Sequence, residues 1–325
     1  MLVLNARGGT TGQKQVSRFE SLGVRKMSKK HRYIIRTVVC AFISIMWMNT
    51  AFAQSPDATT NQASGPDNQA AADASKQAAN PLASAWLWQF QENSTWVEMP
   101  ANGGHRVQSN LQFQPLVSAK LTDNWTLVSR PVLQLFNSAP FVDQAGQARR
   151  VTGFGDMALA FAVSPGHKLV GNWLFAAGPT FILPTATKSL LGQHKWQAGP
   201  TAAVGYVGKH FITYVFPQQW FSIGGSGRTT SQMSMQYAFV YFLKDGWSVG
   251  TNPNLLVNWK ATSGNRVTSP IGLQVGKLRK IGHTPVKFDV QVQYYAVRPD
   301  VFGPKWNVQL QVTPIMPSLI KRKLL

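Results

Sequence analysis

The clearest pattern in the chain lies between Thr284 and Met316, where two alternations of apolar and polar residues are separated by one loop. From Val286 every second position is apolar, through Phe288, Val290, Val292, Tyr294 and Ala296, and the interleaved set is Lys287, Asp289, Gln291, Gln293 and Tyr295. The pattern repeats with Trp306, Val308, Leu310, Val312 and Met316 on one parity and Asn307, Gln309, Gln311 and Thr313 on the other. A period of two puts each set on its own face of a strand. The polar face carries mostly amides where a soluble sandwich usually carries Lys, Glu and Asp, which suits a polar lumen inside a lipid-facing wall.

The same alternation predicts about twelve strands between Ser84 and Met316, joined by connections that alternate long and short. Asp123-Asn124, Pro165-Gly166-His167, Gly208-Lys209 and Asp245-Gly246 have tight-turn chemistry. Ser138–Gly153, Thr185–Lys195 and Arg298–Lys305 read as longer loops, and Leu278–His283 reads as a turn longer and more basic than its neighbours. An even strand count with short turns on one side and long loops on the other predicts an all-β fold: a transmembrane antiparallel up-and-down β-barrel. The rows expected to line its lumen hold Gln112 and Gln114, Arg130 and Gln134, Asp156, and Gln236. A strand over Trp247–Lys260 adds Asn252, Asn254, Asn258 and Lys260, and the last two strands add Lys287, Asp289, Gln291, Gln293, Gln309 and Gln311. Tryptophans 86, 88, 125, 173, 196, 220, 247, 259 and 306 fall at strand ends, where interfacial girdles place them.

Upstream of the barrel the reading changes. Residues 1–26 have no usable periodicity and read as an extension ahead of the true start. Residues 27–53 have a basic region, an apolar core from Thr37 to Met48 and an Ala51-Phe52-Ala53 ending, the three parts of a secretory signal peptide. Residues 54–80 are Ala, Gln, Asn, Asp and Ser without an aromatic, and their composition predicts a disordered periplasmic segment. The barrel spans 81–317 and a basic tail 318–325. The formal net charge is +20, but nine of the 32 basic residues and one of the 12 acidic ones precede Ala53, so about +12 remains beyond it. That charge is scattered over turns and loops, which argues against nucleic acid as a partner and for outer-membrane lipid. Cys40, the single cysteine, lies in the leader.

Catalytic chemistry finds little support. The five histidines past the leader (105, 167, 194, 210 and 283) fall in or beside loops and turns, and no pair has metal-ligand spacing. His105 and Ser109 are the nearest Ser–His pair and carry no motif. Glu92 and Glu98 are the only glutamates past the leader, and Gly224–Gly227 is not followed by the Lys-Ser/Thr of a phosphate loop. No cofactor and no metal are expected.

Several short stretches, in order, resemble a family of Gram-negative outer-membrane proteins labelled as the meta-pathway of phenol degradation, some of whose members are filed as transporters. They are Gly153-Phe154-Gly155-Asp156, Leu183-Pro184-Thr185-Ala186-Thr187 and Leu191-Gly192, followed by Trp196, Gly199-Pro200, Trp220-Phe221-Ser222 and Pro270-Ile271-Gly272. The resemblance implies a barrel in the cell outer membrane that moves organic or aromatic solutes. Combined with the amide rows, it leads to an expected role as a monomeric channel for passive uptake of small organic solutes. A structural or adhesive barrel with a closed lumen is the alternative, and a barrel lipid hydrolase is a third.

Overall fold

In a computed structural model the described residues are 66–99, 104–300, 302–320 and 323–324, and they form one antiparallel sheet closed on itself. The stretches expected to be an upstream extension (1–26) and a signal peptide (27–53), together with residues 54–65, lie outside them. The sheet has fourteen segments: β1 Trp86–Glu98, β2 His105–Lys120, β3 Trp125–Val142, β4 Ala148–Gly153, β5 Met157–Pro165, β6 Trp173–Leu183, β7 Trp196–Val207, β8 Phe211–Gly224, β9 Ser231–Phe242, β10 Trp247–Thr251, β11 Asn254–Asn258, β12 Val267–Ile281, β13 Thr284–Val297 and β14 Pro304–Met316. Two staves are broken in the middle, β4/β5 and β10/β11. The barrel therefore has twelve staves, and β14 pairs with β1 to close it.

Closure explains the alternation. Outward parities carry exposed Phe90, Phe136, Phe175, Val204, Phe239 and Leu273, while inward parities are mostly buried or half-buried. Greasy rows thus face outward from a single wall and do not meet between two stacked sheets. Trp88, Trp125, Trp173 and Trp247 ring the short-turn end, and Trp196, Trp259 and Trp306 ring the other, all of them exposed. Trp220 departs from the expected girdle: it is buried, and its Nε1 donates to Thr180 Oγ1 at 3.1 Å inside the barrel.

Four sequence expectations are corrected. The Ser138–Gly153 loop is mostly strand: β3 continues to Val142 and pairs with β4, and the tip closes where Asp143 Oδ1 accepts from the Ala145 and Gln147 amides. The Leu278–His283 turn is a two-residue hairpin, because Ile281 pairs with Thr284 and Gly282 takes a positive φ of 59°. The strand Trp247–Lys260 is interrupted at Asn252-Pro253, and Lys260 lies in an exposed turn beyond it, not on the wall.

The fourth correction is the largest. Residues 66–79, expected to be disordered, are a helix, α1 (Pro66–Ala79). Pro66 occupies its first position, Lys76 stands in its last turn, and alanine has the highest helix propensity. The helix packs against the lumenal side of β8, β9, β12, β13 and β14 and the 3-10 turn at Lys244–Gly246. Ala78 and Ala83 sit in a buried cluster with inward-facing Leu87, Leu116, Val128, Leu278 and Ile315, at the short-turn end. Composition missed this because alanine contributes little apolar area by itself, whereas the ring of larger side chains it covers supplies the rest.

The stretches that carried the family resemblance meet in space. Phe154 N donates to Thr187 Oγ1 (3.0 Å), Met157 N donates to Thr185 Oγ1 (2.9 Å), and Thr187 N donates to the Phe154 carbonyl (3.2 Å). A Cβ on Gly155 would stand 2.6 Å from Gln134 Oε1, so glycine is needed for this close approach.

Candidate functional site: a two-sided lumen

The inward rows divide into two unlike halves. Staves β12, β13, β14, β1, β2 and β3 present mainly amides and charges above an apolar ring at the short-turn end, whereas staves β5 to β9 present small and aromatic side chains toward the short turns and polar ones (Thr180, Gln197, Thr201, Gln218 and Gln232) toward the long loops. On the apolar side Ala160, Ala162, Ala176, Ala203, Ala238, Ile212, Tyr214, Phe216, Val240 and Phe242 form one buried cluster. Sequence reasoning placed the small inner row of Ala158, Ala160 and Ala162 but missed the larger members such as Ile212, Tyr214 and Phe216, since an inward apolar residue looks like an outward one until the parity of its stave is known. The signal that could have found them is the β9 row, where the Gln232, Ser234, Gln236 parity continues as Ala238, Val240 and Phe242.

On the polar side the amides mostly bond to each other. Gln114 Nε2 donates to Gln91 Oε1 (3.2 Å) and Gln112 Oε1 (2.7 Å), Gln112 reaches Asn110, and Asn110 Nδ2 donates to Gln134 Oε1 (3.1 Å). Asn307 bridges Asn93 and Gln293 in the same way. Because an amide carries both donors and acceptors, the row can satisfy itself across staves without ordered charge.

Charge enters at the waist. Lys287 is 2% exposed and Asp289 4%, and they pair at 2.7 Å, with Gln274 Nε2 also donating to Asp289 Oδ1 at 2.7 Å. Gly276 makes room for them: a Cβ there would stand 2.2 Å from Asp289 Oδ1 and 2.6 Å from Ser248 Oγ. Arg130 extends from β3 to the far side, donating from Nη1 to Gln236 Oε1 (2.7 Å) and from Nη2 to Gln114 Oε1 (3.0 Å). Its guanidinium carbon lies 5.7 Å from the centre of the Phe216 ring. Gln236 Nε2 and Tyr214 Oη both donate to Asn252 Oδ1, at 2.9 and 3.2 Å.

These groups line a cavity of about 20 Å³, with Ala78, Ala79, Asn80 and Pro81 at the end of α1 forming its floor. That is room for about one water between α1 and the wall at this level. Buried Ser75 Oγ and Gln77 Oε1 on the helix, and Ser248 Oγ, Gln274 Oε1 and both amide atoms of Gln291 on the wall, have no protein partner.

The remaining candidates take other places. Asp156 sits in the break between β4 and β5, where its carboxylate accepts from the Ala186 (3.1 Å) and Gln193 (2.7 Å) amides and pins the loop after β6. Asn254 and Asn258 lie on β11 in register with Gln236 and Gln232, exposed above the waist. Gln309 and Gln311 pair with Asn93 and Gln91 on β1, and Gln291 and Gln293 continue the β13 row. Ser109 and His105 do not form a hydrolytic pair: Ser109 Oγ donates to Glu92 Oε1 at 2.5 Å, and all five histidines are exposed.

The β10/β11 break leaves a gap in the wall. β10 pairs with β12 as far as Gly250↔Gln274, and β11 resumes at Leu256↔Thr268. Pro253 and Pro270 in the interval cannot donate to the ladder. Tyr237 Oη spans the interval, donating to the Pro270 carbonyl at 2.6 Å.

No protein-family model and no curated protein matches the chain. Among solved structures it is similar to an outer-membrane channel from Pseudomonas putida F1, at 15% identity over 71% of this chain and 95% of that one, with a TM-score of 0.53. Weaker likenesses include a FadL homologue from Pseudomonas aeruginosa (8% identity, 74% of this chain and 92% of that one, TM-score 0.39) and the CymD monoaromatic hydrocarbon channel (8% identity, 75% and 92%, TM-score 0.39). The fold is that of a closed twelve-strand antiparallel outer-membrane β-barrel.

Proposed function

We propose that this protein is an outer-membrane channel for the diffusion of small organic solutes, with α1 as the closure of its periplasmic mouth. The observation that carries the reading is the mixed lining of the lumen: amide rows face a patch of small and aromatic side chains on the short-turn part of β5 to β9, inside a wall whose outer rows are greasy. A solute with both polar and apolar surface finds partners for each along the same path. The P. putida barrel it resembles in fold is a channel, which accords with this reading.

The helix seat fits a closure that can be withdrawn. Its lumenal contacts are chiefly alanines, and Ser75 Oγ and Gln77 Oε1 on the helix and Gln274 Oε1 on the facing wall lack partners. Each such atom lowers the stability of the seated state by about 1–3 kcal/mol unless water reaches it. Reconstitution of the full chain into planar bilayers and liposomes tests the proposal: discrete conductance steps and entry of small organic solutes are expected. A membrane that stays electrically silent and solute-tight at all voltages would remove the channel reading. The filled waist favours a second reading, a structural barrel with a permanently closed interior, and that silent result is what it expects.

A further inference from the structure

We infer that the waist is a binding site for a small organic anion, a carboxylate on an aromatic or alicyclic ring, held by Arg130 with its ring against Tyr214 and Phe216. The inference rests on reading the lumen as a solute path, and deepens it by naming the solute class.

Among the described residues, Arg130 is a lumenal cation without an acidic partner. Its two terminal nitrogens bond neutral amide oxygens of Gln236 and Gln114, and its Nε is buried with no partner. The carboxylate lining this cavity, Asp289, is already engaged by Lys287 and Gln274. A guanidinium is permanently charged, presents a planar fork of donors and binds carboxylates in two-point geometry, so replacing neutral amides by an anion is the favourable exchange at this position. Arg130 and Lys287 against Asp289 leave the waist with one positive charge in excess among the residues lining the cavity.

The second half of the site is apolar. Phe216 lies 5.7 Å beneath the guanidinium, and Tyr214 is fixed through its hydroxyl to Asn252. Behind them Ala160, Ala162, Ala176, Ala203 and Ala238 keep the wall low. A ring carried on the carboxylate fits against that wall, while a small hydrophilic anion such as acetate gains nothing from it. With α1 in place the cavity admits about one water, so the anion and the residues Ala78–Pro81 compete for the same space, and binding favours withdrawal of the helix.

The test is binding to the purified full chain in detergent, by titration calorimetry, with benzoate, cyclohexanecarboxylate, benzamide and acetate as probes. Benzoate and cyclohexanecarboxylate are expected to bind about tenfold or more tighter than neutral benzamide or ringless acetate. Arg130→Gln removes the preference for benzoate over benzamide, and Phe216→Ala removes the preference for benzoate over acetate. Equal affinity for benzoate and benzamide in the wild-type protein overturns the inference even if neither variant folds. So does an undiminished benzoate preference in a folded Arg130→Gln barrel. Bilayer recordings on the same preparation keep the two claims apart: silence with Arg130-dependent binding removes the channel and leaves the site, and conductance without binding does the reverse.

Discussion

The Arg130 guanidinium on β3 donates to the Gln236 side-chain oxygen on β9 at 2.7 Å, joining two staves that stand five apart in a barrel of twelve. This is a strut across the lumen, and it sets the waist. Truncation of either end, as Arg130→Ala or Gln236→Ala, removes it, and the expected outcome is a larger unitary conductance than wild type in planar bilayers. Unchanged conductance in both variants would show that the narrowest point lies elsewhere.

The helix makes a separate prediction. Deleting 66–79 removes Ala78 and Ala79 from the floor of the waist cavity while leaving every strand pair intact. The deleted protein is expected to insert as a folded barrel and to conduct at least as often as the full chain, with longer open times. A deletion variant that folds and stays as closed as wild type would place the block in the wall itself.

Lys287 and Asp289 test how the barrel tolerates charge. Both are almost wholly buried, so Asp289→Asn leaves an ammonium without its counter-ion at a loss of about 3–5 kcal/mol. Replacing both, as Lys287→Met with Asp289→Leu, is expected to recover most of that loss. Urea unfolding followed by tryptophan fluorescence in lipid vesicles measures it, and equal stability of the single and double variants contradicts the pairing.

Tyr237 closes the wall gap with one hydroxyl. Tyr237→Phe leaves the Pro270 carbonyl without its donor, which lowers stability by about 1–3 kcal/mol and loosens the β11–β12 seam. Faster amide exchange confined to residues 251–255 and 269–273 is the expected signature, and uniform exchange around the barrel is the result that refutes it.

At the outer hairpin, the hydrogen bond from Arg149 and the backbone amide of Gln147 hold the Asp143 carboxyl below its ordinary 3.8. A carboxyl depressed on folding contributes stability that is complete above the ordinary value and is lost as pH falls through the lower folded one. A carbon-13 titration of Asp143 should therefore show a midpoint below 3.8, rising in Arg149→Ala. A wild-type midpoint at or above the ordinary value would falsify the tip geometry.

The lipid-facing wall was legible because a period of two is written into every stave, and an error of one residue would turn greasy rows into the lumen. Amide rows such as Gln291–Gln293 and Gln309–Gln311 followed from the same parity. The family motifs at Gly153–Asp156 and Leu183–Thr187 were legible as strings, but their reason, a mutual hydrogen-bond clasp, required the two staves to be neighbours.

The sequence by itself determined that this chain makes alternating strands with one apolar face and short turns at one end, because alternation and turn chemistry are local. Only the tertiary structure decided that an apolar patch faces the amide rows, that Arg130 reaches Gln236, and that an alanine helix fills the mouth. Those three depend on which stave stands opposite which, and closure of the sheet fixes that at separations of 106 residues between Arg130 and Gln236 and 212 between Thr95 and Asn307 across the closing seam.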